Sequence, residues 1–175
     1  TKSGYQLVVL TKGFTEYRDS FLVRSDSPLK TLADLKALKI GAPDEDSITS
    51  VIMRATLRDA LGAQPLETNY VKLQEAVPFM VEHGMVAAGV TASNAVVKDW
   101  QGKGGRVLAV SKPVPIKHLI ASSKITDEQR AQLAAYFVGL EQTPEGKKRL
   151  ESLNVSGFLE FDQKALVGIG KWLGV

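Results

Sequence analysis

The chain has 175 residues, 44% of them hydrophobic and 23% charged, which is the make-up of an ordinary folded protein with room for one large domain or two small lobes. A net charge of +3, densest at Lys147, Lys148 and Arg149, is too small and too scattered for a nucleic-acid footprint. With no cysteine there is no disulfide framework and no thiolate metal site. No apolar run approaches the roughly 20 residues that cross a bilayer, and no basic-then-apolar leader opens the chain, so the expectation is a soluble protein whose signal peptide has been removed.

Residues 5–10 and 20–24 are apolar, β-rich runs. Thr31 and Asp34 make a capping-box pattern that opens a short helix through Ala37, and residues 39–42 read as a strand. An amphipathic helix over 51–61 stops at Gly62, a natural residue to follow a last helical turn. Residues 67–71 then read as a strand, 74–83 as a helix, 86–90 as a strand, 93–101 as a helix and 107–110 as a strand. Pro78 falls inside the second of these helices and should kink it or delay its start. Strands alternating with helices from residue 31 onward are the signature of parallel βαβ units.

The last third changes character. Pro113 and Pro115 in Ser111-Lys112-Pro113-Val114-Pro115 enforce an extended connector, after which 116–121 resumes as a strand. Thr126 with Gln129 is a second capping box, and Asp127 and Glu128 favour the first turn of a helix over 127–141. Thr143 and Pro144 supply the cap and first residue of a helix through Leu153, and 166–173 forms a final short one. The two ends of the chain thus bracket a central βαβ block.

Asp46, Ser47, Ile48, Thr49 and Ser50 carry the chemistry. They lie between the strand at 39–42 and the helix at 51–61, where free backbone N–H groups, the positive end of the helix dipole and three hydroxyls suit a phosphate-like, carboxylate or sulfonate head group. The alternative is that Ser47, Thr49 and Ser50 only cap the helix. Thr91 and Ser93 follow the strand at 86–90 and share the carboxyl edge where ligands of open α/β sheets collect, or they cap the next helix. Catalysis finds little support. His83 and His118 are the two histidines and neither sits in a nucleophile or metal spacing, while Gly102-Lys103-Gly104-Gly105 reads as a turn, so no enzyme, cofactor or metal is expected.

In order along the chain, Ser27-Pro28-Leu29-Lys30-Thr31-Leu32-Ala33-Asp34-Leu35-Lys36, Asp46-Ser47-Ile48-Thr49-Ser50, Val81-Glu82-His83-Gly84, Ser111-Lys112-Pro113-Val114-Pro115 and Thr143-Pro144-Glu145-Gly146 resemble the phosphate/phosphite/phosphonate-binding family of periplasmic ABC-transporter proteins. The likeness covers residues 14–165. It implies an α/β fold of the type II periplasmic-binding-protein kind: one complete doubly wound lobe plus part of a second, joined by two hinge strands, with a small oxyanion held in the interlobe cleft. On that plan residues 1–25 end lobe one and form the outgoing hinge, 26–108 form lobe two, and 109–175 form the return hinge and the C-terminal helices of lobe one.

The implied function is a periplasmic or otherwise extracytoplasmic solute-binding protein, made as a lipid- or signal-anchored precursor, that hands a phosphonate- or phosphate-like anion to the membrane permease of an ABC transporter. A sensory or scaffold module of the same fold is the alternative. The usual first-lobe N-terminal part is absent from the sequence, so the expectation is either a fragment or a shortened relative that completes the lobe another way, such as by a homodimer; nucleic acid is not a partner. The resemblance assigns Ser47, Thr49 and Ser50 to the anion-binding helix start and Tyr17 to an aromatic donor before the first hinge. It adds Thr91 and Ser93 as second donors and His118 on the return hinge. Gln74 stands where phosphonate binders often have a histidine, and can donate and accept without charging. Ala87 stands where they often have an acid, which argues against an aminophosphonate. The glycine usual after Leu35-Lys36 is replaced by Ala37-Leu38.

Overall fold

The computed structural model describes residues 4–175, which divide into two compact units: the chain up to Tyr17 with Pro113–Lys171, and Arg18–Lys112 with Trp172–Val175. The first unit opens with β1 (Tyr5–Thr11), whose residues from Leu7 onward are all buried. The second contains, in chain order, β2 (Ser20–Val23), β3 (Ile40–Pro43), α1 (Ile48–Leu61), β4 (Thr68–Val71), α2 (Ala76–Glu82), β5 (Ala88–Thr91), α3 (Asn94–Gly102) and β6 (Arg106–Val110). Its five strands form one sheet in the order β4-β3-β5-β2-β6.

The βαβ expectation holds for β3, β4 and β5, which are parallel, but β2 lies between β5 and β6 and is antiparallel to both. No crossover helix feeds β2, so the alternation of strands and helices carried no information on its direction. Period-two alternation sends Phe21 and Val23 to one face of the sheet and Leu22 to the other. On the first face Phe21, Val23, Ile40, Ala42, Ala88 and Val90 pack against Met53 and Leu57 of α1 and against Leu35. On the second, Leu22 packs with Val77, Met80 and Val81 of α2 and with Val96 and Trp100 of α3. The Trp100 indole N–H donates to the Val23 carbonyl at 3.1 Å, so its burial leaves no unpaired donor. Gly89 lets α2 lie close to β5, since a Cβ there would come within 2.5 Å of Val77.

Several element boundaries shift for local reasons. α1 starts at Ile48 rather than 51, because Ser47 takes the cap. The helix expected from Thr31 to Ala37 is one 3₁₀ turn, Leu32–Leu35, with the Thr31/Asp34 capping box in place; Ala37 has a φ of 61° and ends it. α2 begins at Ala76, which makes Pro78 its third residue, a position whose N–H has no helical acceptor to lose.

The first unit continues with β7 (His118–Ser122), α4 (Asp127–Gly139), α5 (Pro144–Ser152), β8 (Phe158–Leu159) and α6 (Gln163–Leu173). β1 is the middle strand of an antiparallel sheet in the order β7-β1-β8. Val8 and Val9 pack with Ala134 of α4, Leu150 of α5 and Phe158. The second capping box forms as expected at Thr126 and Gln129, and Thr143 caps α5 through a 3.0 Å bond from the Gly146 N–H.

Candidate functional site

The order of the sheet defines where a ligand fits in the Arg18–Lys112 unit. From β3 the chain passes through α1, over one face, to β4; from β4 it returns through α2, over the other face, to β5 on the far side of β3. The connections that leave the carboxyl ends of β3 and β5 run apart, through α1 to β4 on one side and through α3 to β6 on the other, and a crevice at such a switch point is the usual binding place of open α/β sheets. Two helix starts flank it: α1 after β3 and α3 after β5.

At α1 the three hydroxyls play different parts. The Ser47 Oγ accepts the Ser50 N–H at 3.1 Å, and Ser47 is half-buried with its own O–H proton uncommitted. The Ser50 hydroxyl is fully buried and donates to the Pro43 carbonyl at 3.0 Å. It fastens the helix to the end of β3. Thr49 is 1% exposed. Among the described residues the Ile48 N–H, in the first turn, donates to no acceptor, and it lies at the positive end of the helix dipole. Asp44, Glu45 and Asp46 are exposed beside this helix start, and the Asp44 carboxylate accepts the Asp46 N–H at 3.0 Å.

At the other flank Gln74, Thr91 and Ser93 form one network. The Thr91 hydroxyl donates to Gln74 Oε1 at 2.8 Å and the Ala92 N–H donates to the same oxygen at 2.9 Å. Thr91 Oγ1 in turn accepts the Ser93 N–H at 3.1 Å, and Ser93 Oγ caps α3 by accepting the Val96 N–H at 3.3 Å. Thr91 is fully buried and its hydroxyl proton goes to Gln74, so it positions Gln74 and the 91–93 turn. Among the described residues, the recorded hydrogen bonds of the Gln74 side chain are both to Oε1 and none is to Nε2.

Tyr17 and His118 belong to the other unit. Tyr17 makes a two-way backbone bridge with Val114, at 3.2 and 2.9 Å. His118 opens β7 opposite Leu10; burial lowers its pKa below the ordinary histidine value, opposed by a hydrogen bond to the Pro115 backbone, and its Nε2 is buried without a partner. The imidazole is therefore neutral at pH 7, with Nε2 as an acceptor. His83 serves the end of α2, where its Nδ1 lies 2.9 Å from the Phe79 carbonyl and its ring stacks on Phe79.

One residue escaped the sequence reading. Asp19 is fully buried, neither carboxylate oxygen has a partner, and burial pushes its pKa up to about 8. Its backbone pairs with Ser111, donating to the Ser111 hydroxyl at 2.9 Å and accepting the Ser111 N–H at 2.9 Å. Strand alternation places its side chain on the face of Phe21 and Val23, the α1 side, one residue beyond the Ser20–Thr91 pair at the carboxyl end of β5. The signal was an acid in register with the two apolar residues that follow it.

Ala87 answers a further expectation. It precedes β5, and its N–H donates to the Lys39 carbonyl at 2.8 Å, at the amino end of the strands and away from the crevice. The lack of an acid there says nothing about a ligand ammonium group.

A family model described as "ABC transporter, phosphonate, periplasmic substrate-binding protein" matches residues 1–166. Among solved structures, XAC2383 from Xanthomonas citri bound to ATP is similar over 99% of this chain and 71% of its own, with 15% identity and a TM-score of 0.72. PhnD1 from Prochlorococcus marinus in complex with methylphosphonate is similar over 97% of this chain and 70% of its own, with 14% identity and a TM-score of 0.61. A binding-protein component of an ABC phosphonate transporter from Pseudomonas aeruginosa, PA3383, is similar over 96% and 60%, with 20% identity and a TM-score of 0.54. No curated protein matches the sequence. Among the described residues no helix is long and apolar enough to cross a membrane, and no group of His, Asp and Glu has the arrangement of a metal site.

Proposed function

The chain belongs to the periplasmic substrate-binding proteins of phosphonate ABC transporters, and from that premise we propose that the crevice between β3 and β5 receives a small oxyanion of the phosphonate or phosphate type. The observation that carries this reading is that, among the described residues, each flank of the switch point keeps donors without a recorded partner: the Ile48 N–H and Ser47 O–H at the start of α1, and the Nε2 amide of Gln74, whose Oε1 is held by Thr91 and Ala92. Ser93 and the start of α3 close the same mouth. Tyr17 and His118, both in the other unit, are carried as proposed ligand residues on the family resemblance alone; the His118 Nε2 is buried without a hydrogen-bond partner.

The family is one of transport proteins that work with a membrane permease, and that permease is the partner we assign to this chain, in the periplasm, with export from a signal- or lipid-anchored precursor as the corollary. The division into lobes at residues 25 and 108 is part of the same reading. Neither the fold nor the relatives speak for the homodimer.

Methylphosphonate, phosphite, phosphate and a short alkyl sulfonate, screened by thermal unfolding, test the proposal. A ligand at a hundred times its dissociation constant adds about 2.7 kcal/mol, which raises the midpoint by roughly 5–10 °C for a chain of this size. If all four leave the midpoint unmoved, the crevice is not an oxyanion site.

A further inference from the structure

A second cavity in the same unit, about 360 Å³, lies between α1 and the edge strand β4 and is lined by Glu45, Arg54, Arg58, Gln64, Thr68 and Tyr70, among others. It is on the β4 side of β3, whereas the switch-point crevice is on the β5 side. Arg54 and Arg58 are one helical turn apart and so share a face of α1, and Thr68 and Tyr70, two apart on β4, share a face of the sheet.

The uncommitted groups in this cavity are donors. Arg54 is half-buried, and a single nitrogen makes both of its hydrogen bonds: Nη1 donates to the Glu45 carbonyl at 3.0 Å and to the Tyr70 hydroxyl oxygen at 3.3 Å. No carboxylate lies within ion-pair distance of it among the described residues, so the Nε–Nη2 edge of the guanidinium is open. Tyr70 accepts from Arg54 and keeps its own proton to give. The Gln64 Nε2 is buried with no hydrogen-bond partner. Arg58 adds a second positive charge while one of its nitrogens holds the Trp172 carbonyl. Glu45 contributes its carbonyl to Arg54, and its side chain is exposed.

A planar guanidinium edge with two parallel N–H groups matches two oxygens of a carboxylate or a phosphate. An unpartnered buried amide beside it costs stability unless an acceptor arrives. We propose that this cavity is a second anion site, independent of the crevice, in which a small carboxylate or phosphate-type oxyanion sits on the Nε–Nη2 edge of Arg54 and accepts further bonds from Gln64 Nε2 and the Tyr70 hydroxyl. A cation is disfavoured by the two guanidinium groups, and an apolar guest would leave the Gln64 donor unpaired.

Nitrogen-15 NMR titrations of the full chain with inorganic phosphate and, separately, with succinate test it, because each site has its own reporter. The Ile48 backbone amide reports the crevice; the Arg54 Nε–H and Gln64 side-chain NH₂ report the cavity. Saturable shifts at Arg54 and Gln64 are expected with at least one of the two anions. In Arg54→Gln, where Gln64 alone reports the cavity, the apparent affinity should fall about tenfold or more while the Ile48 curve stays in place. Tyr70→Phe, which retains the ring, should lower it less and serves as the test if Arg54→Gln fails to fold. Arg54 and Gln64 resonances that stay still with both anions, whatever Ile48 does, overturn the proposal, as do cavity titration curves that either folded variant leaves superimposable on the original.

Discussion

Replacing Asp19 with asparagine should make the protein more stable at neutral pH, and increasingly so as pH rises. The carboxyl is fully buried with no partner for either oxygen, and its pKa stands at about 8 in the fold against the ordinary 3.8. Between those values the folded chain holds a proton that the unfolded chain has released, so raising the pH favours unfolding. The slope reaches about 1.4 kcal/mol per pH unit, is complete near pH 8 and is flat beyond it; summed over about four units it approaches roughly 5–6 kcal/mol. That is comparable with the whole stability of many domains. Asparagine keeps the shape and cannot ionise, so it removes the slope while retaining some cost of an unpaired polar group. Urea unfolding of both proteins at several values from about pH 5 to about pH 9, followed through the buried Trp100, isolates the contribution as a difference, expected to grow by roughly 4 kcal/mol from pH 5 to pH 8. If the two stability curves run parallel over that interval, Asp19 is not a neutral buried acid.

Two further substitutions separate structural from ligand-facing roles at the start of α1. Ser50→Ala strands the Pro43 carbonyl in the interior and should cost about 1–3 kcal/mol in urea unfolding while calorimetry finds methylphosphonate affinity within about twofold of the original. A large loss of affinity at unchanged stability would put the hydroxyl back in the site. Asp46→Asn removes one of three exposed carboxylates beside the crevice and should speed methylphosphonate association in stopped-flow measurements, with the gain fading as salt is added; a salt-independent gain would point to a rearranged helix start instead.

Much of this architecture was legible because the local signals agreed with the tertiary outcome. Thr126 with Gln129 and Thr143 with Pro144 mark helix starts through short-range bonds, and both starts are capped where the sequence places them, while at α1 the cap is Ser47 and the helix begins three residues earlier than expected. What the sequence left open depends on partners distant in the chain. β8 is two residues long, too short for any periodicity, and exists because Leu10 and Thr11 pair with it. The direction of β2 is set by β5 and β6, far along the chain. The hydroxyls of Ser50 and Thr91 look from the sequence like donors at a mouth; only the end of β3 and the amide of Gln74 show that both point inward. Asp19 is hidden for the same reason, since an acid beside an apolar run is normally a surface residue unless the strand that follows fixes its face.

In the proposed site, with the Ser50 and Thr91 protons committed to the fold, an anion would meet neutral donors: an amide N–H, a hydroxyl, and a carboxamide, supported by two helix dipoles. Carboxylates at 44, 45 and 46 surround the first of those dipoles. Such a wall binds through direction and distance more than through net charge. Since it neutralises no full charge, it favours a singly charged oxyanion, which sheds its water at lower cost than a dianion. The same logic explains why a buried acid on the α1 side is compatible with the reading. An ionised Asp19 would set a negative charge on the side of the sheet whose helix is asked to attract an anion, and burial keeps it protonated through the neutral range.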